Sequence, residues 1–237
     1  MLTDRKKEIY DLLCDKKKLS VSALSKILYV SEMTVRRDLK ELEAQGYIKR
    51  YRGGAVIAAE DSILPIDSRM MRDEAEKRQL AQKAARFLFS NGNVYIDSGS
   101  TCQYIIPHIK KFDNITIITN SVKTVLSASA LHIPCQLLGG TYYEPDMCFI
   151  GSVTEKYAED LNVDIAFFSA LGISDKGIIS DSVIEQVTLR QRIMKHAQKN
   201  IFLFEKAKIG KTYLHSLCHR DNVDIIIADG YSEQSDP

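Results

Sequence analysis

Long apolar runs are missing: nowhere in the 237 residues do the ~18 consecutive apolar side chains of a membrane-crossing helix occur. The opening MLTDRKKEIY also lacks the apolar centre of a secretory leader. Both absences argue against insertion and export, and predict a cytoplasmic protein with no membrane partner. Cysteine is sparse. Cys14, Cys102, Cys135, Cys148 and Cys218 are odd in number and include no CxxC pair, which argues against a disulfide framework and a cysteine zinc site. No HExxH occurs among the five histidines. His215 and His219 lie near Cys218 without a further ligand group, so neither a metal nor a cofactor is expected.

A large net charge is missing too, but the formal +1 conceals a division. Residues 1–54 carry 13 Lys and Arg against 8 Asp and Glu, while the remainder carries 19 against 23. A basic N-terminal module on an acidic body suits a small nucleic-acid-binding domain joined to something that does not bind nucleic acid. With 45% apolar and 27% charged residues the composition is ordinary for a globular chain, and the length allows one or two domains.

Within the basic module, residues 3–15 place Ile9, Leu12 and Leu13 on one stripe behind a Thr3 cap, and Lys16 to Lys18 end that helix in a turn. Ser20 can cap a second helix, VSALSKIL, with Val21, Leu24, Ile27 and Leu28 inward. A third, Ser31 to Gln45, turns Val35, Leu39 and Leu42 to one side and Met33, Arg37, Lys40 and Ala44 to the other. Ser31 is its N-cap, and Gly46 supplies the left-handed residue that ends it. That arrangement is a helix-turn-helix. The period then changes: residues 47–52 alternate apolar and cationic side chains, Gly53-Gly54 turns, and Ala55 to Ala58 returns as a partner strand. Helix and two-stranded wing together predict a DNA surface. Ser31, Met33, Thr34, Arg36, Arg37 and Lys40 lie on the helix, where Met33, Arg37 and Lys40 read bases, while Lys49, Arg50 and Arg52 on the wing hold phosphates.

The run VSEMTVRRDLKELEAQGYIKRYRGGAV resembles the N-terminal signature of the DeoR family of bacterial transcription regulators, close to VSxxTIRRDLxxLExxGxLxRxHGGA. Tyr51-Arg52 departs from it, since the family commonly has a histidine just before the two glycines. Residues 1–58 are therefore expected to form a winged helix-turn-helix domain.

Residues 59–73 lack periodicity and carry Pro65, so they are expected to be a linker. From residue 74 to 237 a second domain is expected. It begins with a patterned helix carrying Leu80, Ala84, Phe87 and Leu88 and ending at Gly92. Short β-rich runs then alternate with helical ones, ending in a long helix from Ile184 to Gln198 and strands at Ile201 to Phe204 and Ile225 to Ala228. Such alternation implies an α/β fold with a mostly parallel sheet and ligands at the carboxyl ends of the strands. Polar residues cluster there: Asp97, Ser98, Gly99, Ser100 and Thr101 after Ile96; Thr119, Asn120 and Ser121 after Ile118; Gly139 and Gly140 after Leu138; Ser169 to Gly172 after Phe168. Hydroxyls, glycines and backbone N–H groups in such loops can cradle a phosphate, or can simply cap the helices that follow.

This half also resembles the family's sensor domain. IDSGST is similar to LDSGTTT, TNS and LGG stand as they do there, Glu185 and Arg190 match a Glu and a Lys, and FEKAKIG matches DxSKxG. The resemblance implies a fold like ribose-5-phosphate isomerase and coenzyme A transferases, and a phosphorylated sugar or related metabolite as effector. It assigns Ser98, Ser100 and Thr101 to the phosphate with Lys208 as charge partner, and Asp97, Asn120 and Glu185 to sugar hydroxyls. Arg190 fits either a phosphate contact or an ion pair with Glu185. The departures are Cys102 for threonine, Arg190 for lysine, Glu205 for aspartate and Ala207 for serine. The expected function is a regulator, most simply a repressor of a carbohydrate operon, binding operator DNA as a dimer or tetramer because one winged helix makes too few contacts. Two rivals stand beside it. One is a sugar-phosphate isomerase with a DNA-binding appendage, using Asp97, Asp181, Glu185 and Lys208; the other is a redox sensor using Cys102 or Cys148, with a lowered thiol pKa at Cys102.

Overall fold

In the first helix, α1 (Asp4–Lys16), Ile9, Tyr10 and Leu13 fall on one stripe and are fully buried. A computed structural model of the chain describes residues 4–44, 46–57 and 64–229, and divides it between Arg72 and Asp73 into two units. The Thr3 cap, Gln45, Ala58 and the linker stretch 59–63 lie outside the described residues. Lys17, with φ of 62°, turns the chain after α1, but Lys18 already opens a strand, β1 (Lys18–Ser20). The Ser20 hydroxyl accepts the Ala23 N–H at 3.0 Å and starts α2 (Val21–Leu28). Val21 and Leu24 are buried, whereas Ile27, at the edge of the stripe, is 42% exposed. Tyr29, at φ 54°, makes the turn into α3 (Glu32–Ala44), and Ser31 Oγ accepts the Thr34 N–H at 3.2 Å.

Helix α3 buries Val35, Leu39 and Leu42 as its periodicity predicts, and also Asp38, which Arg5 grips with Nε and Nη2 at 2.6 and 3.1 Å. Gly46, at φ 76°, ends the segment in the left-handed region. The wing strands β2 (Ile48–Tyr51) and β3 (Gly54–Ile57) pair antiparallel, and β1 joins β3 on its other side with Leu19 opposite Ala55. A Cβ on Gly54 would lie 2.3 Å from the Leu19 carbonyl oxygen, so only glycine lets this third strand approach. Part of the expected linker is not a linker. Residues Ile66–Met71 form α4, with Leu64 and Ile66 buried, Met71 packed against the first core and the Ser68 carbonyl accepting the Tyr10 hydroxyl at 3.2 Å. Burying Tyr10 against an edge-on Tyr47 requires that acceptor, and the chain after the wing supplies it.

The second unit opens with α5 (Glu74–Ala84), shorter than its pattern suggests: residues 85–87 tighten to a 3-10 turn and Leu88 is extended. Its remaining elements are β4 (Asn93–Ile96), α6 (Ile106–Ile109), β5 (Thr116–Thr119), α7 (Val122–Ala130), β6 (Cys135–Leu137), β7 (Thr141–Tyr143), β8 (Cys148–Ile150) and α8 (Ser152–Glu159). There follow β9 (Val163–Phe168), β10 (Gly172–Ile173), β11 (Ile178–Asp181), α9 (Ile184–His196), β12 (Ala197–Phe204), β13 (His215–His219) and β14 (Ile225–Ala228). Six strands form one parallel sheet in the order β14-β12-β9-β4-β5-β6. Its central strands are apolar at successive positions because both faces are covered. Phe168, Phe202 and Phe204 pack with α8 and α9, while Phe167, Ile201 and Leu203 pack with α5, α6 and α7. The expected helix 184–198 stops at His196, since Ala197 already pairs with Val163 in the sheet. A separate antiparallel sheet, β10-β11-β13, and the β7-β8 hairpin complete the unit; neither was expected.

Candidate nucleic-acid interface and effector site

On α3 the face opposite the core presents Ser31, Met33, Arg36, Arg37 and Lys40 to solvent, with Met33 77% exposed and Thr34 half-buried. Lys49, Arg50 and Arg52 are exposed on the wing. Apart from the half-buried Thr34, the sequence-predicted contact residues are thus exposed, on α3 and its N-cap and on the β2-β3 hairpin. Between the two lies a cleft of about 400 Å³ bordered by Arg36, Glu43, Arg50 and Arg52. The cations differ in engagement. Arg36 pairs with Glu32 one turn away at 2.8 Å, and Arg50 is held by Glu43, while Arg37, Lys40, Lys49 and Arg52 join no ion pair among the described residues. A helix that offers free long cations beside a thioether, with a basic hairpin alongside, can place donors at base edges and charges at phosphates together.

The second site lies where the order of the parallel sheet reverses. From β4 the chain continues to β5 and β6 on one side, and from β9 to β12 and β14 on the other, so the loops after β4 and β9 diverge at a switch point. Asp97 follows β4 and Ser169 follows β9, and the Ser169 N–H reaches Asp97 Oδ2 at 3.5 Å. Gly99 lies so close to the second loop that a Cβ would meet that of Ser169 at 3.0 Å. From α9 the buried Arg190 directs Nε to both oxygens of Asp97 at 3.2 Å, Nη1 to Asp181 at 2.8 Å and Nη2 to Gln186 at 2.9 Å. Burial alone would depress the guanidinium, but Asp97 and Asp181 outweigh it and raise its pKa above the ordinary arginine value. Arg190 is thus a structural ion pair, but with Asp97 and Asp181 rather than with Glu185, which is exposed on the first turn of α9. Its neighbour Gln186 faces inward and donates to Asp146.

A second charged group adjoins the first through Ser169. Lys208 Nζ donates to Ser169 Oγ at 2.9 Å and pairs with Glu205 at 3.1 Å, and the Thr101 hydroxyl donates to the same carboxylate. Burial would raise the Glu205 pKa; Lys208, Lys77 and Thr101 reverse this and hold it below the usual glutamate value. Ser98 is buried with a hydroxyl that meets no nitrogen or oxygen partner and sits beside the Cys148 thiol. Ser100 is buried in the same loop. Asn120 is fixed by the Tyr95 hydroxyl, which donates to it at 3.2 Å, and by its own amide bond to the Phe149 carbonyl at 2.9 Å.

Other expected site residues have structural duties. Thr119 Oγ1 donates to the Ile96 carbonyl at 2.7 Å, and Ser121 caps α7 by accepting the Thr124 N–H at 3.3 Å. The Gly139 carbonyl accepts the Thr154 hydroxyl of α8 at 2.9 Å, and a Cβ on Gly140 would overlap that same hydroxyl; Gly172 clears the Lys211 carbonyl in the same manner. The DSGST loop opens onto a 3-10 turn, Cys102–Ile105, and a four-residue helix, which weakens the helix-end part of the phosphate argument. The thiols run against the redox expectation. Burial pushes Cys148 up to about 12 and raises Cys102 well above its ordinary value, so neither is an activated thiolate. Sequence reasoning missed Lys77, Gln186 and Asp146. Lys77 alone had a signal, a cation three residues before Leu80 on the buried stripe of α5.

A model of the DeoR-like helix-turn-helix domain matches residues 5–61, and one of the DeoR C terminal sensor domain matches residues 72–230. Among similar proteins, the HTH-type transcriptional regulator IolR of Bacillus subtilis is 29% identical over 88% of this chain and 84% of its own. The L-fucose operon activator of Escherichia coli is 30% identical over 97% of this chain and 96% of its own. The lactose phosphotransferase system repressor of Staphylococcus epidermidis is 29% identical over 95% and 91%. Of solved structures, ribose 5-phosphate isomerase from Plasmodium falciparum aligns with a TM-score of 0.43 at 19% identity over 57% of this chain and 53% of that one. The sorbitol operon regulator SorC from Klebsiella pneumoniae aligns at 0.40 and 11% over 94% and 95%. Among the described residues no helix is long and apolar enough to cross a membrane. With one domain model on the basic winged helix and the other spanning most of the chain across the switch-point cluster, the protein belongs to the DeoR family of DNA-binding transcriptional regulators.

Proposed function

We propose that this regulator represses a carbohydrate operon in the cytoplasm and is controlled by a phosphorylated sugar or related metabolite bound at the switch point. The observation that carries the reading is the Lys208 ammonium, anchored between Ser169 and Glu205 and joined through Glu205 to the DSGST loop. It offers a phosphate a partly exposed cation beside a set of hydroxyls, whereas the guanidinium of Arg190 is buried and engaged by Asp97, Asp181 and Gln186. Relatives named for lactose and fucose systems support the ligand class. A homodimer or tetramer would bring two winged helices to two half-sites, and an effector that binds two arrangements of the oligomer unequally would change DNA affinity.

No catalytic role is proposed. Asp97 and Asp181 are both tied to one arginine and Glu185 points to solvent, so the carboxylates do not form an acid and base pair. Isothermal titration of the full chain with pentose phosphates, hexose phosphates and inorganic phosphate should find at least one sugar phosphate that binds, with Lys208→Ala weakening it by about 1.5–3 kcal/mol. Mobility shifts on the gene's own upstream DNA should then respond to that compound. Equal binding by wild type and Lys208→Ala, or no specific retardation under any condition, would overturn the reading.

A further inference from the structure

On the DNA-facing surface one acidic side chain is out of keeping with its surroundings. Glu43, in the last turn of α3, borders the cleft that Arg36, Arg50 and Arg52 line. Its carboxylate accepts twice from one residue of the wing, the Arg50 backbone N–H on Oε1 at 2.8 Å and Arg50 Nε on Oε2 at 2.7 Å. Both side chains are more than a third exposed, so the pair lies at the surface and not in the core. The bonds from Arg50 hold the Glu43 pKa below the usual range, which keeps the carboxylate charged at neutral pH.

We propose that Glu43 is a specificity-setting residue: by clasping Arg50 it withdraws one cation from sequence-blind phosphate contact and keeps a negative charge in the cleft a phosphate would enter. The proposal rests on α3 and the wing being the DNA surface. Its logic is electrostatic. Each phosphate neutralised by a free cation releases counterions and steepens the fall of log K with log salt by about 0.9 on duplex DNA. Sequence-independent binding grows with every such cation, whereas base readout by α3 does not depend on them. A clasped Arg50 lowers the first while leaving the second in place.

The test uses the full-length protein on two duplexes of equal length, one selected by the wild type from a random library and one random, titrated from 0.05 to 0.2 M salt. Glu43→Gln should bind the random duplex more tightly and steepen its salt slope by about 0.9 per bound subunit, roughly a threefold extra change across that range. The ratio of selected to random affinity should fall. Arg50→Ala alone should leave the slope on random DNA unchanged, and in the Glu43→Gln background should return it to the wild-type value. A clasp that merely positioned the wing would weaken binding at every salt concentration without steepening the slope. That result, an unchanged slope in Glu43→Gln, or a slope shallower by about one unit in Arg50→Ala alone, would overturn the proposal. Arg37→Ala separates the two layers. If it spares specific binding, the surface itself is misplaced and the proposal falls with it; if it abolishes specific binding while Glu43→Gln changes nothing, only the clasp is wrong.

Discussion

Replacing Arg190 by methionine removes the guanidinium and keeps most of the volume, so it isolates what that charge does for the sensor unit. In the wild type it satisfies two buried carboxylates, Asp97 and Asp181, each under 7% exposed, together with the Gln186 amide. Breaking a buried ion pair by removing one partner costs about 3–5 kcal/mol, and here two carboxylates lose their counterion, which points to the upper end. For a unit of this size that is a fall in Tm of roughly 10–20 °C. Arg190→Lys should lie in between, since an ammonium supplies the charge but cannot reach Asp97, Asp181 and Gln186 in one plane. Adding Asp97→Asn and Asp181→Asn to Arg190→Met should restore most of the loss. Urea unfolding followed by circular dichroism measures all four proteins. A methionine variant within about 1 kcal/mol of wild type at pH 7 would refute the view that this network holds the switch point together.

Three further outcomes are expected. Arg37→Ala should weaken binding to a selected operator by about 1–3 kcal/mol and affect random duplex much less, as gel shifts on the two can show; equal losses would mean Arg37 touches only phosphate. Glu205 has a depressed folded pKa, so its stabilisation is complete above its unfolded value of about 4.5 and is lost as pH falls through the folded one. Glu205→Gln should therefore flatten the acid limb of the stability curve, and an acid limb parallel to wild type would contradict the assigned Lys208 and Lys77 partnership. Gly54→Ala should lower the thermal stability of the winged-helix unit by about 1–3 kcal/mol, because its methyl group would overlap the Leu19 carbonyl. An unchanged melting curve would show that β1 is dispensable.

Local pattern made the winged helix legible. The stripe Val35, Leu39 and Leu42, the Ser31 cap and the glycines at 46 and 53 each specify geometry within a few residues. Strand β1 escaped because three residues, KLS, carry no period, and only their pairing with Gly54, Ala55 and Val56 of β3 defines them. Helix α4 escaped for a related reason: its place depends on the Tyr10 hydroxyl 58 residues away. In the sensor unit the parallel strands announced themselves as apolar runs, whereas β11 has only two apolar residues before Ser180 and Asp181, and β13 sets a single leucine among His, Ser and Cys. Composition marked the polar loops at the switch point, but not the partners of their side chains. Arg190 meets Asp97 across 93 residues of chain, and the choice of Asp97 and Asp181 over the adjacent Glu185 follows from the direction in which α9 turns its faces.

The order of strands in the large sheet also sets a timetable. All contacts of the first unit are available once Arg72 has been made, but the centre of the sheet needs β9 beside β4, and β12 beside β9, so it waits for Phe204. At ribosomal speeds of about 5–20 residues per second, that leaves an interval on the order of ten seconds in which the first unit has been made and the centre of the large sheet has not. During each round of synthesis the winged-helix unit is complete in sequence before the central strands of the second unit can pair.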